Sequence, residues 1–142
     1  MVILDTNVIS ALMHQAPPRA VRTWLDHQAE LSVWTTSISL FEIRVSIEVL
    51  PASRRRRALQ AEFERVIAED IEGRVVSFDA VAAACSAQLM AERRRAGRTG
   101  ELRDTMIAGI VVASHATLAT HNTRHFADLH VPVVDPWSAA AQ

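Results

Sequence analysis

Lysine is absent from these 142 residues, and every one of the 15 basic side chains is arginine. That excludes mechanisms that need a lysine, among them the P-loop, Schiff-base chemistry and lysine-assisted phosphoryl transfer. Cysteine occurs once, at Cys85, so neither an intrachain disulfide nor a cysteine-based zinc site can form, and a cytoplasmic protein is expected. Glycine is scarce as well. The four glycines, at 73, 97, 100 and 109, cannot spell Gly-x-Gly-x-x-Gly, which excludes nucleotide-cradling loops of that kind. The longest largely apolar stretch, Ile107 to Ala119, is broken by His115 and falls short of the ~20 residues that span a bilayer. Met1-Val2-Ile3-Leu4-Asp5 has no basic segment and meets an acid at once, unlike a signal peptide. No membrane partner is expected.

What is present is a hydrophobic fraction of 49%, enough for a real core, at a length that predicts a single domain over 1–142. The formal net charge of −1 means that nucleic-acid binding would rest on local basic patches or metal ions rather than on a global positive field.

Hydrophobic patterning alternates between short apolar runs and helical spacing. Val2-Ile3-Leu4 reads as a buried strand feeding a short helix through Asp5-Thr6-Asn7. Pro17-Pro18 break the chain, and Val21, Trp24 and Leu25 predict a helix to about Ala29. Leu31 to Thr35 is a second strand. Leu40, Ile43, Ile47 and Leu50 mark a helix from Ser37, and a further helix runs from about Ser53 to Glu72, stopped by Gly73. Val75 to Phe78 is a third strand, followed by a helix from Asp79 to about Arg95 with stops at Gly97 and Gly100. A helix from Leu102 to His115 and strands at Thr117 to Thr120 and Val131 to Val134 complete the chain. Such alternation predicts an α/β fold with a parallel sheet covered by helices on both faces.

In an open parallel sheet, ligands gather outside the carboxyl ends of the strands. Asp5 ends the first strand and Asn122 follows the fourth. Glu42 lies one turn into the helix after the second strand, and Asp104 near the start of the helix before the fourth. Each also has a purely structural role open to it. Asp5 can cap the next helix, Ser39-Leu40-Phe41-Glu42 fits a capping box, and Asp104 can complement a helix dipole. Jointly these roles explain less, because one fold reading brings several acids to one edge. Gathered carboxylates without lysine repel one another. A hard divalent cation, Mg²⁺ or Mn²⁺, resolves this with oxygen ligands and suits phosphodiester hydrolysis.

The ordered set Val2-Ile3-Leu4-Asp5-Thr6-Asn7-Val8-Ile9-Ser10, Phe41-Glu42-Ile43, Asp104-x-x-Ile107-Ala108 and Leu118-Ala119-Thr120-His121-Asn122 resembles a PIN domain. More narrowly it resembles the VapC-type toxic ribonucleases of toxin–antitoxin pairs, over essentially the whole chain. The resemblance implies a five-stranded parallel α/β/α sandwich and Mg²⁺- or Mn²⁺-dependent endoribonuclease activity. It implies metal coordination by Asp5 and Asp104, with Glu42 binding directly or through water. An RNA substrate, a cognate antitoxin and a homodimeric partner copy are the expected partners. Asn122 stands where the family often has aspartate, and His121 where arginine is common. An amide can orient water but carries no charge.

The remaining polar features read as follows. His121 and His125 share a helical metal-ligand spacing, but without an intervening acid they do not make a zinc motif, and His121 is a candidate phosphate contact. His14, His27, His115 and His130 read as surface or satisfied positions. Arg54 to Arg57, and Arg93 to Arg95 with Arg98, read as solvated helix faces, with an RNA-backbone track as the functional counterpart. Trp24, Trp34 and Trp137 read as core. Two rival functions stand beside the nuclease. A haloacid-dehalogenase-like phosphatase would use Asp5 as nucleophile but lacks a second aspartate at Asn7 and a lysine. A catalytically inactive binding module of the same fold has Asn122 as its one hint.

Overall fold

A computed structural model of the protein describes residues 1–139; residues 140–142 of the expected single domain lie outside the described residues. The chain runs through β1 (Val2–Leu4), α1 (Thr6–Leu12), α2 (Arg19–Asp26), β2 (Val33–Thr36), α3 (Ser37–Glu48), α4 (Arg54–Arg65), β3 (Val75–Val76), α5 (Ala80–Arg95), α6 (Leu102–Ala113), β4 (Thr117–Ala119), β5 (Val133–Val134) and α7 (Pro136–Ala139). The five strands form a parallel sheet in the order β3-β2-β1-β4-β5. No helix among the described residues is long and apolar enough to cross a membrane.

Period-two alternation of the strands feeds two cores. Leu4 and Ala119 point to the side packed by α1 to α4, with Val8, Leu12, Trp24 and Phe63. Ile3 and Leu118 point to the other, against Ala82 and Leu89 of α5 and Ile107 and Val111 of α6. The result is the expected α/β/α sandwich.

Several boundaries differ from the sequence reading. The second predicted strand, Leu31 to Thr35, begins instead within a 3₁₀ turn over Glu30–Ser32 that leaves Leu31 76% exposed. The third and fifth strands shrink to two residues each, as sheet-edge strands with one neighbour do. The helix predicted to Glu72 loosens to a π-helical turn over Val66–Ile71 and ends with Glu72 and Gly73 both in the left-handed region, at φ 52° and 71°.

Chain order and spatial order together locate the crevice. From central β1 the chain moves outward to β2 and β3, then returns to the other side of β1 for β4 and β5. Connections therefore leave β1 and β4 in opposite directions, and the switch point opens at their carboxyl ends. Asp5 stands there, its N–H donating to the Ala119 carbonyl at 2.9 Å.

Candidate active site

Asp5 is only 4% exposed. Its Oδ1 accepts from the Thr6 N–H at 2.8 Å, so the capping role is real. Its Oδ2 does something a cap does not need: it accepts from the Thr120 hydroxyl, just past β4, at 2.7 Å. Asn7 ties the same two strand ends, donating from Nδ2 to Thr120 Oγ1 at 3.3 Å and accepting the His121 N–H on Oδ1 at 3.2 Å. Burial pushes the Asp5 carboxyl up to about 6, against the hydrogen bonds from Thr120 and Thr6, and the charges of Asp104 and Glu42 push it further the same way.

Glu42 does not act as a capping-box acid. Thr36 caps α3, its hydroxyl accepting the Ser39 N–H at 3.0 Å. Glu42 instead takes a hydrogen bond from the Thr6 hydroxyl at 2.8 Å, across to α1, and lies 3.8 Å from the Arg103 guanidinium. Asp104 occupies the first turn of α6, as a dipole partner would. Its Oδ2 is also 3.1 Å from His125 Nδ1.

Asp5, Glu42, Asp104 and Asn122 line one cleft of about 620 Å³, together with Thr6 and His125. The four residues singled out in the sequence thus share one crevice at the switch point. Among the described residues, no three histidine, cysteine, aspartate or glutamate side chains close into a tight metal cage. The side-chain oxygens of Asp5, Glu42, Asp104 and Asn122 are nevertheless donors of the kind a hard cation such as Mg²⁺ takes, since it keeps several waters and needs only one or two carboxylates. The raised Asp5 carboxyl is the electrostatic counterpart, a buried acid lacking compensating positive charge.

Several sequence readings need correction. His121 does not face the cleft; its ring packs on Trp137 at 4.2 Å between centroids and lies 3.4 Å from Asp135. Trp137 is partly buried against the core on the side of α1 to α4, as expected, and also lines the cleft. Arg93 is not on a solvated face: it is 5% exposed, grips Asp128 through two nitrogens at 2.8 and 2.9 Å, and donates to Thr105 Oγ1 at 3.0 Å. His14 is exposed, as expected of a surface position, and also lines the cleft. The reading of His125 overlooked its contact with Asp104. Its position three residues after Asn122, in the 3₁₀ turn Thr123–Phe126 that Phe126 anchors in the core, is the signal that could have found it.

Comparison with known proteins gives the family and the fold. The family model for the PIN domain matches residues 2–131. The chain is 34% identical over 140 residues to the VapC ribonuclease Y4jK of Sinorhizobium fredii, covering 99% of this chain and 100% of that one. It is 31% identical over 137 residues to the toxin FitB of Neisseria gonorrhoeae, covering 96% and 99%. The crystal structure of FitAcB from Neisseria gonorrhoeae superposes with a TM-score of 0.86 at 30% identity, over 97% of this chain and 99% of that one.

Proposed function

This chain belongs to the PIN domain family, and from that membership we propose that it is a ribonuclease toxin of a toxin–antitoxin pair, an endoribonuclease that hydrolyses RNA phosphodiester bonds with Mg²⁺ or Mn²⁺ in the cytoplasm. The names of its relatives, a VapC ribonuclease and a toxin, support the biological class. The observation that carries the chemistry is the meeting of Asp5, Glu42, Asp104 and Asn122 in one cleft, with the Asp5 carboxyl pushed up to about 6.

Asp5, Asp104 and Glu42 would hold the cation. When bound, it supplies Lewis acidity at the phosphodiester and activates water as the nucleophile. The chain's own residues prepare that site. Thr120 and the Thr6 amide fix both oxygens of Asp5, so the carboxylate cannot rotate away. The Thr6 hydroxyl aims Glu42 into the same cleft, and His125 holds Asp104 from the opposite wall. The Asn122 amide, exposed at the rim, orients water or a phosphate oxygen without adding charge.

A cognate antitoxin fits the same surface. A basic side chain entering the acid cleft would meet three carboxyls, and Phe41 and Val45 of α3, 56% and 39% exposed, offer apolar helix surface beside it. A second copy of the chain completes a homodimer. Purified protein is expected to cleave RNA with Mg²⁺ or Mn²⁺, to stop in EDTA and to need no zinc. Undiminished cleavage in EDTA would overturn the metal chemistry. Harmless expression, with no small partner co-purifying from the native operon, would overturn the toxin reading.

A further inference from the structure

A second cavity, of about 270 Å³, lies next to the acid cleft and shares Glu101, Asp104 and His125 with it as a common wall. Its far side differs in chemistry. Arg93, Arg98 and Arg124 line it, with Thr99 and Gly100 on the loop between α5 and α6. The three guanidinium groups are not equivalent. Arg93 is committed to Asp128 by two hydrogen bonds, so the Asp128 charge is already answered. Arg98, 46% exposed, reaches that same carboxylate only at 3.5 Å, as its second cation. Arg124 is exposed, and no hydrogen bond or ion pair engages it among the described residues.

The acids on the shared wall do not cancel this charge. Glu101 is paired with Arg103 at 3.1 Å, and Asp104 faces the acid cleft with His125 against it. Gly100 helps to keep the cavity's shape, since a Cβ there would stand 3.0 Å from Arg93 Nη1. One guanidinium group without a partner among the described residues, that of Arg124, and one held only loosely, that of Arg98 at 3.5 Å from Asp128, therefore face a cavity one wall away from the carboxylates. Guanidinium matches phosphate in shape and charge, and its positive charge does not titrate away.

Resting on the ribonuclease reading, we infer that this cavity is a phosphate subsite: Arg124 and Arg98 bind an RNA phosphate neighbouring the one cleaved in the acid cleft. The strand crosses the Asp104–His125 wall between the two. The subsite sets where along the strand the scissile bond falls, and it makes cleavage depend on a flanking phosphate.

The test uses the full chain, Arg124→Ala, Arg98→Ala and the double variant, with Arg19→Ala on α2, exposed and outside both arginine runs, as a charge-matched control. Binding of a fluorescent single-stranded oligoribonucleotide is measured in EDTA across a salt series. Cleavage is measured in Mg²⁺ on oligonucleotides extended by one nucleotide on the 5′ or the 3′ side. Each subsite variant is expected to weaken binding about tenfold, as losing a charge-assisted contact does. It should also reduce the slope of log K against log salt by about 0.7, the value for one single-strand phosphate contact. In cleavage KM should rise with kcat within about twofold, and the gain from one of the two extensions should vanish. Melting temperatures should stay at the wild-type value, since both side chains are exposed. An unchanged salt slope in the variants, or an equal loss in Arg19→Ala, overturns the subsite. So does weakened antitoxin binding with RNA binding intact, which would assign the cavity to the protein partner. If wild-type protein leaves RNA uncut in Mg²⁺, the ribonuclease reading fails, while the salt series in EDTA still decides whether the cavity binds phosphate.

Discussion

Replacing Asp5 by asparagine should make the metal-free protein more stable while abolishing its activity, and the structure sets the size of the effect. The carboxyl is pushed from 3.8 to about 6 by burial and by its acidic neighbours. At ~1.36 kcal/mol per pH unit, keeping it ionised at pH 7 costs the native state roughly 3 kcal/mol. Asparagine removes that cost but introduces another. Thr120 Oγ1, which donates to Asp5, already accepts from Asn7 Nδ2 and from the Asn122 N–H. An amide NH₂ turned toward it meets a hydroxyl with no acceptor capacity left, a loss of about 1–2 kcal/mol. The net gain is about 1 kcal/mol, or a few degrees in Tm for a chain of this length. The sign with pH is diagnostic. Because the folded-state pKa lies above the unfolded one, the stability that protonated Asp5 contributes is fully present below about pH 3.8 and is lost as pH rises through about 6. The advantage of Asp5→Asn should thus grow between pH 4 and 6.5 and then level off. Thermal melts in EDTA across that range, with and without Mn²⁺ at pH 7, measure it; Mn²⁺ should raise the wild-type Tm and move the variant's much less. If Asp5→Asn melts below wild type in EDTA by a margin that does not change with pH, Asp5 is a cap whose hydrogen bonds outweigh its charge, and the electrostatic case for a cation there collapses.

Two further substitutions probe the frame that holds the site. Arg93→Ala strips a buried partner from Asp128, Thr105 and the His125 carbonyl, and should cost about 3–5 kcal/mol in urea unfolding. Hydrogen bonding to Arg93 holds the Asp128 carboxyl below its usual range. The wild-type advantage should therefore shrink as pH falls below about 4; an advantage that is flat down to pH 2 would deny the ion pair its role. Gly109→Ala places a methyl against Ser86 Oγ and within 2.8 Å of the Ala82 carbonyl. It should destabilise by roughly 2 kcal/mol despite the better helix propensity of alanine. Adding Ser86→Ala should recover part of that loss, and a Tm for Gly109→Ala above wild type would show that α5 and α6 do not pack this closely.

The acids were legible in the sequence because each is fixed by local pattern. Asp5 follows a three-residue apolar run that reads as a buried strand, Glu42 lies one turn into α3 and Asp104 in the first turn of α6, both helices whose apolar spacing is plain. Chain alternation alone then predicts that strand ends and helix starts share one edge. Their partners were not legible, because pairing depends on contacts between segments far apart in the chain. Thr120 meets Asp5 across 115 positions and Thr6 meets Glu42 across 36. The arginine run Arg93-Arg94-Arg95 makes the point most sharply. In sequence its members are interchangeable, yet each helical step of ~100° turns the next side chain away. Only the side of α5 that faces α6 and the Thr123–Phe126 turn finds Asp128 and the His125 carbonyl. Arg93 is therefore buried structure while Arg94 and Arg95 remain in solvent.

That division of labour bears on how the two cavities coexist. The acid cleft gathers negative charge that is unfavourable until a cation arrives, and the neighbouring cavity gathers positive charge that would be drawn into it. Arg98 or Arg124, folded over the shared wall, would neutralise Asp104 and block the metal. Two features oppose this collapse. His125 already occupies Asp104 Oδ2, and its carbonyl is fastened to Arg93 at 2.9 Å, so the wall is anchored from the core side. Arg93 thereby keeps opposite charges apart on either side of a single histidine. The separation leaves the carboxylates free for the cation of the proposed ribonuclease and the guanidinium groups free for the phosphate of the inferred subsite, so that opposite charges can act on neighbouring parts of one polyanion.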